Sequence, residues 1–178
     1  STGELKGPFY TDGQSCLLED YLEVCPHRRN EVASCVKNGS IAAGPWYVLP
    51  DEFLVSGESI IRNIRLGFDT VRMLGAEPSR TGFLCDMFGH ISQMPQILKG
   101  FGINNAFIWR GLNYQRRNIV WEGADGSQVY SYKFGHDGYG DYAIIARQAT
   151  KDNYKDFDPQ AFAKSIEEYL KLELEKND

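Results

Sequence analysis

The stretch from Ser56 to Gly111 constrains this fold more than any other part of the chain. Ile60, Ile61, Ile64, Phe68, Val71 and Leu74 recur three and four residues apart, which places them on one face of a helix. Arg62, Asn63 and Arg65 fall outside that face. Ser56 and Ser59 offer N-capping hydroxyls, and Gly75 supplies a stop. A short apolar run, Phe83, Leu84 and Cys85, then ends on a carboxylate, so a strand is predicted over Phe83 to Asp86. A short helix from Pro95 to Lys99 follows, and a second strand, Ala106 to Trp109, closes on Arg110-Gly111. Helix and strand in alternation mark an α/β protein with a mainly parallel sheet and flanking helices.

The flanking sequence extends this rhythm and then breaks it. Residues 8 to 14 read as a short strand or loop ending in Asp12-Gly13-Gln14, and residues 29 to 38 as a helix after Pro26. Ile41 to Leu49 is apolar and rich in Val, Tyr and Trp; a strand is predicted there, leading into Pro50-Asp51-Glu52. Ile119 to Trp121 and Val129 to Lys133 flank Ala124-Asp125-Gly126-Ser127, the pattern of a hairpin. A glycine-rich loop spans 135 to 141. Pro159 to Leu174 is an amphipathic helix, with Phe162, Ile166, Tyr169, Leu170 and Leu172 available for packing. At most four parallel strands are in view, too few to close a barrel.

Composition narrows the partners. With 42% hydrophobic and 24% charged residues, the 178-residue chain is ordinary for a globular protein and long enough to bury a core. A net charge of -5 argues against nucleic acid, whose phosphates call for a basic face. No apolar run is long enough for a membrane span. The first residues lack the pattern of a signal peptide, and Cys16, Cys25, Cys35 and Cys85 are irregularly spaced with no Cys-x-x-Cys pair. Reduced thiols and a cytoplasmic location are therefore expected.

Chemistry-bearing residues gather where strands end. Asp51 and Glu52 follow one apolar run, Asp86 with Phe88, Gly89 and His90 another, and Arg110 a third. In α/β folds these C-terminal strand ends open onto ligands. A carboxylate beside an arginine suits a nucleophile or a metal ligand, and Phe88 could form an apolar wall for a sugar ring. Plainer readings stand beside these. Asp51 or Glu52 could cap the following helix, His90 could simply hold its loop, and Arg110 could be an ordinary ion pair. His136 and Asp137 could form a second metal site or merely a polar loop. Chemistry alone leads to an α/β domain with an acidic strand-edge site, of hydrolytic character.

Several segments together suggest a family. Asp12-Gly13-Gln14, Leu18 to Glu23, Gly44-Pro45-Trp46-Tyr47, Pro50 to Leu54, Ser56 to Ser59 and Ile61-Arg62-Asn63 occur in order with Asp86-Met87-Phe88-Gly89-His90, Gln93 to Leu98, Phe101-Gly102-Ile103 and Trp109-Arg110-Gly111. This series resembles the α-mannosidases of glycoside hydrolase family 38, of the bacterial type, and the match covers residues 8 to 134. The resemblance implies an incomplete portion of an irregular seven-stranded β/α barrel, with residues 1 to 178 forming part of the catalytic domain and 135 to 178 a loop and helix. It implies retaining hydrolysis of terminal α-mannosides or oligosaccharides through a covalent glycosyl-aspartate, with zinc as cofactor.

By the same resemblance Asp86 is nucleophile and zinc ligand, Phe88 lines the mannose site, Arg110 pairs with the nucleophile, and His90, Asp51 and Glu52 are supporting groups. Two departures qualify this. The family's His-x-Asp zinc pair and its downstream zinc histidine are absent here, and its acid/base aspartate has no counterpart either. The expectation is a piece of a larger zinc α-mannosidase, inactive by itself and able to self-associate. The alternatives are a non-catalytic carbohydrate- or partner-binding domain on the same scaffold, or a related metal-dependent polysaccharide deacetylase.

Overall fold

The computed structural model describes residues 7–135, 138–148, 150–151 and 156–176. Two short parallel strands, β1 (Phe9–Tyr10) and β2 (Ile41–Ala42), are joined by α1 (Cys16–Val24) and α2 (Arg29–Lys37). A 16-residue helix, α3 (Gly57–Arg72), precedes β3 (Thr81–Leu84), and α4 (Met94–Gly100) leads to β4 (Asn105–Ile108). The hairpin β5 (Asn118–Glu122) and β6 (Gln128–Lys133) completes a four-stranded sheet in the order β3-β4-β6-β5. Strands β3, β4 and β6 run parallel, and β5 is the antiparallel edge. Beyond it lie α5 (Asp141–Gln148), the small pair β7 (Thr150–Lys151) and β8 (Asp156–Phe157), and α6 (Pro159–Glu175). The described residues form a mixed α/β structure of three separate sheets.

Helix α3 forms where its periodicity places it. The Ser56 hydroxyl accepts a hydrogen bond from the Ser59 N–H at 3.2 Å and so caps the first turn. Ile60, Ile64, Phe68 and Val71 are buried against the four-stranded sheet or the α1–α2 layer, whereas Ile61 is left exposed on the flank of the stripe. Gly67 is glycine because a Cβ there has no room against the Pro45 carbonyl and the Trp46 backbone. Trp46, fully buried, donates its indole N–H to the Phe83 carbonyl at 2.8 Å and ties the loop after β2 to β3.

That loop corrects the strand predicted over Ile41 to Leu49, which ends at Ala42. Its backbone groups find side-chain partners and scattered backbone ones, such as the Gly13 carbonyl for the Trp46 N–H, instead of a ladder. Asn63 accepts from the Tyr47 and Val48 N–H groups and donates to the Val48 carbonyl, and Gln14 accepts from the Leu49 N–H at 3.0 Å. Only Gln14 and Trp46 make an isolated parallel bridge. The β1–β2 pair meets the four-stranded sheet through Tyr10, whose hydroxyl lies 3.1 Å from the Gly44 carbonyl and 3.2 Å from the Thr81 carbonyl. Burial pushes that phenol up to about 12.

Helix α6 corrects a second expectation. Leu170 and Leu172 point outward, and the one buried residue on the helix is Glu173. It shares a stripe with half-buried Phe162, Ile166 and Tyr169, and it meets Arg117 in a paired contact of 2.5 and 2.7 Å. The Tyr132 hydroxyl donates to the same carboxylate, and Tyr169 donates to Asp141 at 2.9 Å. A polar lock, rather than an apolar face, carries the C-terminal end of the helix.

Candidate functional site

Strand register brings the site together. Leu84 pairs with Ile108, so the residues two positions further along each strand, Asp86 and Arg110, leave the same edge of the sheet side by side. The Arg110 Nε lies 2.9 Å from Asp86 Oδ1, and both side chains are close to half exposed. The Arg110 guanidinium also lies over the Phe88 ring at 5.1 Å and the Trp109 ring at 4.2 Å. Arginine suits this place because its planar, weakly hydrated cation stacks on aromatic faces while its edge still donates to a carboxylate. Phe88 is 71% exposed, so most of its surface remains open at the mouth of the site.

Tyr139 also lies near Asp86. Its ring packs against Trp109 at 5.6 Å and Phe83 at 6.1 Å. Desolvation raises its hydroxyl above the ordinary phenol value, and the charges of Asp86 and Asp12 add to this, as does a hydrogen bond toward Asp86. The phenol therefore keeps its proton and can donate. Gly138 precedes it with φ +65°, and any Cβ there would run into the Trp109 indole. Asp12, with φ +49°, is the one described non-glycine residue in the left-handed region, and burial raises its carboxyl. Gly13 beside it has no space for a Cβ against Phe83.

Behind Arg110 lies a second polar pair. Glu52 is 1% exposed, and its carboxylate bonds to His90 Nδ1 at 2.7 Å through one oxygen while the other accepts from the Ile91 N–H at 2.8 Å. His90 Nε2 reaches the Arg110 carbonyl at 2.8 Å. A carbonyl only accepts, so Nε2 carries a hydrogen, and one further proton is shared between Nδ1 and Glu52. The imidazole edge packs on Trp121 of β5 at 5.0 Å.

The candidate residues thus separate. Asp86, Phe88, Arg110, His90 and Glu52 converge, whereas Asp51 enters only through its backbone carbonyl, which accepts from the Leu54 N–H. Neither acidic residue caps α3, since Ser56 does. Trp109, Tyr139 and Asp12 are missing from the sequence-derived site. Trp109 and Asp12 stand inside the quoted segments, but only register and loop path show what they face. The pair His136 and Asp137 lies outside the described residues.

Zinc is expected of the complete enzyme, and from this chain Asp86 is the ligand assigned to it. Among the described residues no group of three or more His, Cys, Asp or Glu side chains converges to hold a metal ion. Catalytic zinc ordinarily takes three protein ligands, and at this edge Asp86 stands beside Cys85, a buried thiol that desolvation drives well above its usual range. All four cysteines are free thiols. Among the described residues no helix is long and apolar enough to cross a membrane.

One edge of the parallel sheet thus carries a carboxylate, a stacked arginine and open aromatic surface on an α/β scaffold. Residues 7–177 match the model of the glycosyl hydrolases family 38 N-terminal domain, and the chain belongs to that family. It is 36% identical over 135 residues to a Halalkalibacterium halodurans protein provisionally named a mannosylglycerate hydrolase, covering 68% of this chain and 15% of that protein. It is 31% identical over 156 residues to alpha-mannosidase G of Dictyostelium discoideum, covering 84% of this chain and 14% of the other. The crystal structure of an alpha-mannosidase from Enterococcus faecalis V583 superposes with a TM-score of 0.79 at 28% identity, covering 96% of this chain and 18% of that one. The chain thus spans about a seventh of the length of these curated relatives.

Proposed function

We propose that this chain is part of the catalytic domain of a retaining α-mannosidase, and that Asp86 is its nucleophile. The observation that carries the reading is the Asp86–Arg110 pair at 2.9 Å on a shared strand edge, in a chain belonging to family 38. In the first step an Asp86 oxygen attacks the anomeric carbon of a terminal α-mannoside as the bond to the departing oxygen breaks, giving a glycosyl-aspartate. Water then cleaves that ester with a second inversion, so configuration is retained. Arg110 fixes the carboxylate, Tyr139 donates to it, and Phe88 gives the sugar ring an apolar wall. His90 and Glu52 support Arg110, and Asp51 shapes the preceding turn. The seven-stranded β/α barrel is the frame in which the described strands would take their place.

Zinc belongs to the same reading at the level of the family. When bound, such an ion holds sugar hydroxyls and offsets charge; from this chain Asp86 would contribute one ligand. The described residues do not complete the donor set or supply the acid that protonates the departing oxygen. We therefore expect the isolated chain to be inactive. An aryl α-mannoside assay tests both points: Asp86→Asn should abolish turnover by the intact protein, and the isolated chain with zinc should show none. Full activity of the intact Asp86→Asn protein would remove the nucleophile assignment.

A further inference from the structure

We infer that Glu52 and His90 form a positioning pair that sets the Arg110 guanidinium on Asp86 by clamping the Arg110 backbone. This deepens the reading above and rests on it. The chain of contacts is continuous. The Ile91 N–H and His90 Nδ1 hold the two oxygens of Glu52, which is all but fully buried. The His90 side chain is itself 4% exposed, and Nε2 reaches the Arg110 carbonyl at 2.8 Å. Arg110 follows the last residue of β4 by two, so its ladder bonds have ended; its N–H reaches the Cys85 carbonyl at a long 3.4 Å. The His90 bond is the short contact that fixes this peptide.

The next residue reports how closely the ring is pressed there. Gly111 has φ +81°, and a Cβ would lie 2.7 Å from the imidazole Cδ2 and 2.9 Å from Nε2. The peptide therefore sits against the ring with a hydrogen at Nε2 pointing to its oxygen. A shift of this peptide would move the guanidinium off both Asp86 and the two aromatic rings, because all three contacts are made by one side chain. Buried polar groups with every position matched resist such shifts, since leaving one unmatched is costly. Misplacing a reacting group by about 1 Å can cost on the order of 10²-fold in rate.

Two substitutions at Glu52 separate positioning from folding. In Glu52→Gln the amide oxygen still accepts from Ile91 and the amide N–H can donate to Nδ1, so the Nε2–H tautomer and its bond to Arg110 persist. Glu52→Ala removes both bonds. In the intact protein, assayed with an aryl α-mannoside, Glu52→Ala and His90→Gly should lose about 10²-fold in kcat with KM changed by less than about threefold. Glu52→Gln should remain within about fivefold of the parent, and added imidazole should restore part of the His90→Gly rate.

An independent readout is the Arg110 Nε–H resonance in 15N-edited spectra, identified by its absence in Arg110→Lys. It should be protected from exchange in the parent and in Glu52→Gln, and should exchange freely in Glu52→Ala. If Asp86→Asn is inactive while the folded Glu52→Ala and His90→Gly proteins keep parental kcat and a protected Nε–H, the positioning role is wrong and the nucleophile assignment stands. An Asp86→Asn protein of full activity overturns both.

Discussion

Leu84 and Ile108 are register partners in β3 and β4, and two residues beyond them Asp86 and Arg110 meet at 2.9 Å. Nothing in the local sequence of either residue indicates the other, since 24 positions separate them. Parallel pairing with equal offsets makes the contact, and the lengths of two strands set the geometry of a salt bridge.

Arg110 makes three contacts at once, two of them on aromatic faces, which a lysine's compact ammonium cannot hold together. Arg110→Lys in the intact protein should therefore lower kcat/KM by about 10² with the fold unchanged, because a point charge lacks the planar donor edge. Steady-state kinetics with circular dichroism checks this. Parental kinetics would mean that charge alone suffices.

Phe88 is 71% exposed and makes its described ring contact with Arg110. Phe88→Ala should raise KM about tenfold, equivalent to about 1.4 kcal/mol of lost sugar contact, and leave kcat nearly unchanged. A pure fall in kcat would instead place the ring's main role in holding Arg110.

The lock on α6 bears on stability. Glu173 lies below the ordinary glutamate range, first because Arg117 hydrogen-bonds it and then through that cation's charge and the Tyr132 hydroxyl. A carboxyl depressed on folding contributes stability that is complete above its unfolded value, about 4.3, and is lost as pH falls through the lower folded one. Urea denaturation of the parent should show this acid-side loss. Glu173→Gln should be less stable by about 3 kcal/mol at pH 7, since the buried Arg117 charge is left without a counter-charge. Its deficit should shrink toward acid pH. Arg117→Met with Glu173→Leu should recover much of it; additive losses in the double variant would contradict the lock.

A preparation of this chain alone should self-associate. Phe107 and Tyr132 lie half-buried and Tyr130 is 72% exposed along the sheet, where they help to line an open hollow of about 490 Å³. Such surface favours association. Sedimentation equilibrium should show mass rising with concentration, reduced by Tyr130→Asp; a concentration-independent monomer would contradict it.

The elements most legible in the sequence are those built from local rules. Helix α3 combines a capping serine with apolar residues at helical spacing, and the hairpin shows its Asp-Gly turn. The strand predicted to end at Asp86 ends at Leu84, which frees that carboxylate to turn toward Arg110. Helix α1 escapes notice because Glu19, Asp20 and Glu23 dilute its stripe, leaving Leu18 alone buried. Segment 43–55 is not legible because its partners are distant: the side chains of Gln14 and Asn63 and the backbone of Gly13, Ser15 and Ser79. In the site, Asp86, Phe88, Arg110 and His90 carry readable chemistry. Tyr139 does not: its place depends on a glycine-rich loop folding Gly138 against Trp109. The Glu52–His90 bond spans 38 positions, and only the folded chain separates Glu52 from its neighbour Asp51.

The nucleophile assignment is tested most directly by trapping. The intact protein would be incubated with a 5-fluoro-mannosyl fluoride, digested and sequenced by tandem mass spectrometry. One fluoroglycosyl group is expected on the peptide containing residues 82–96, attached to Asp86. A label on another carboxylate would contradict it, as would no label on an enzyme that turns the reagent over.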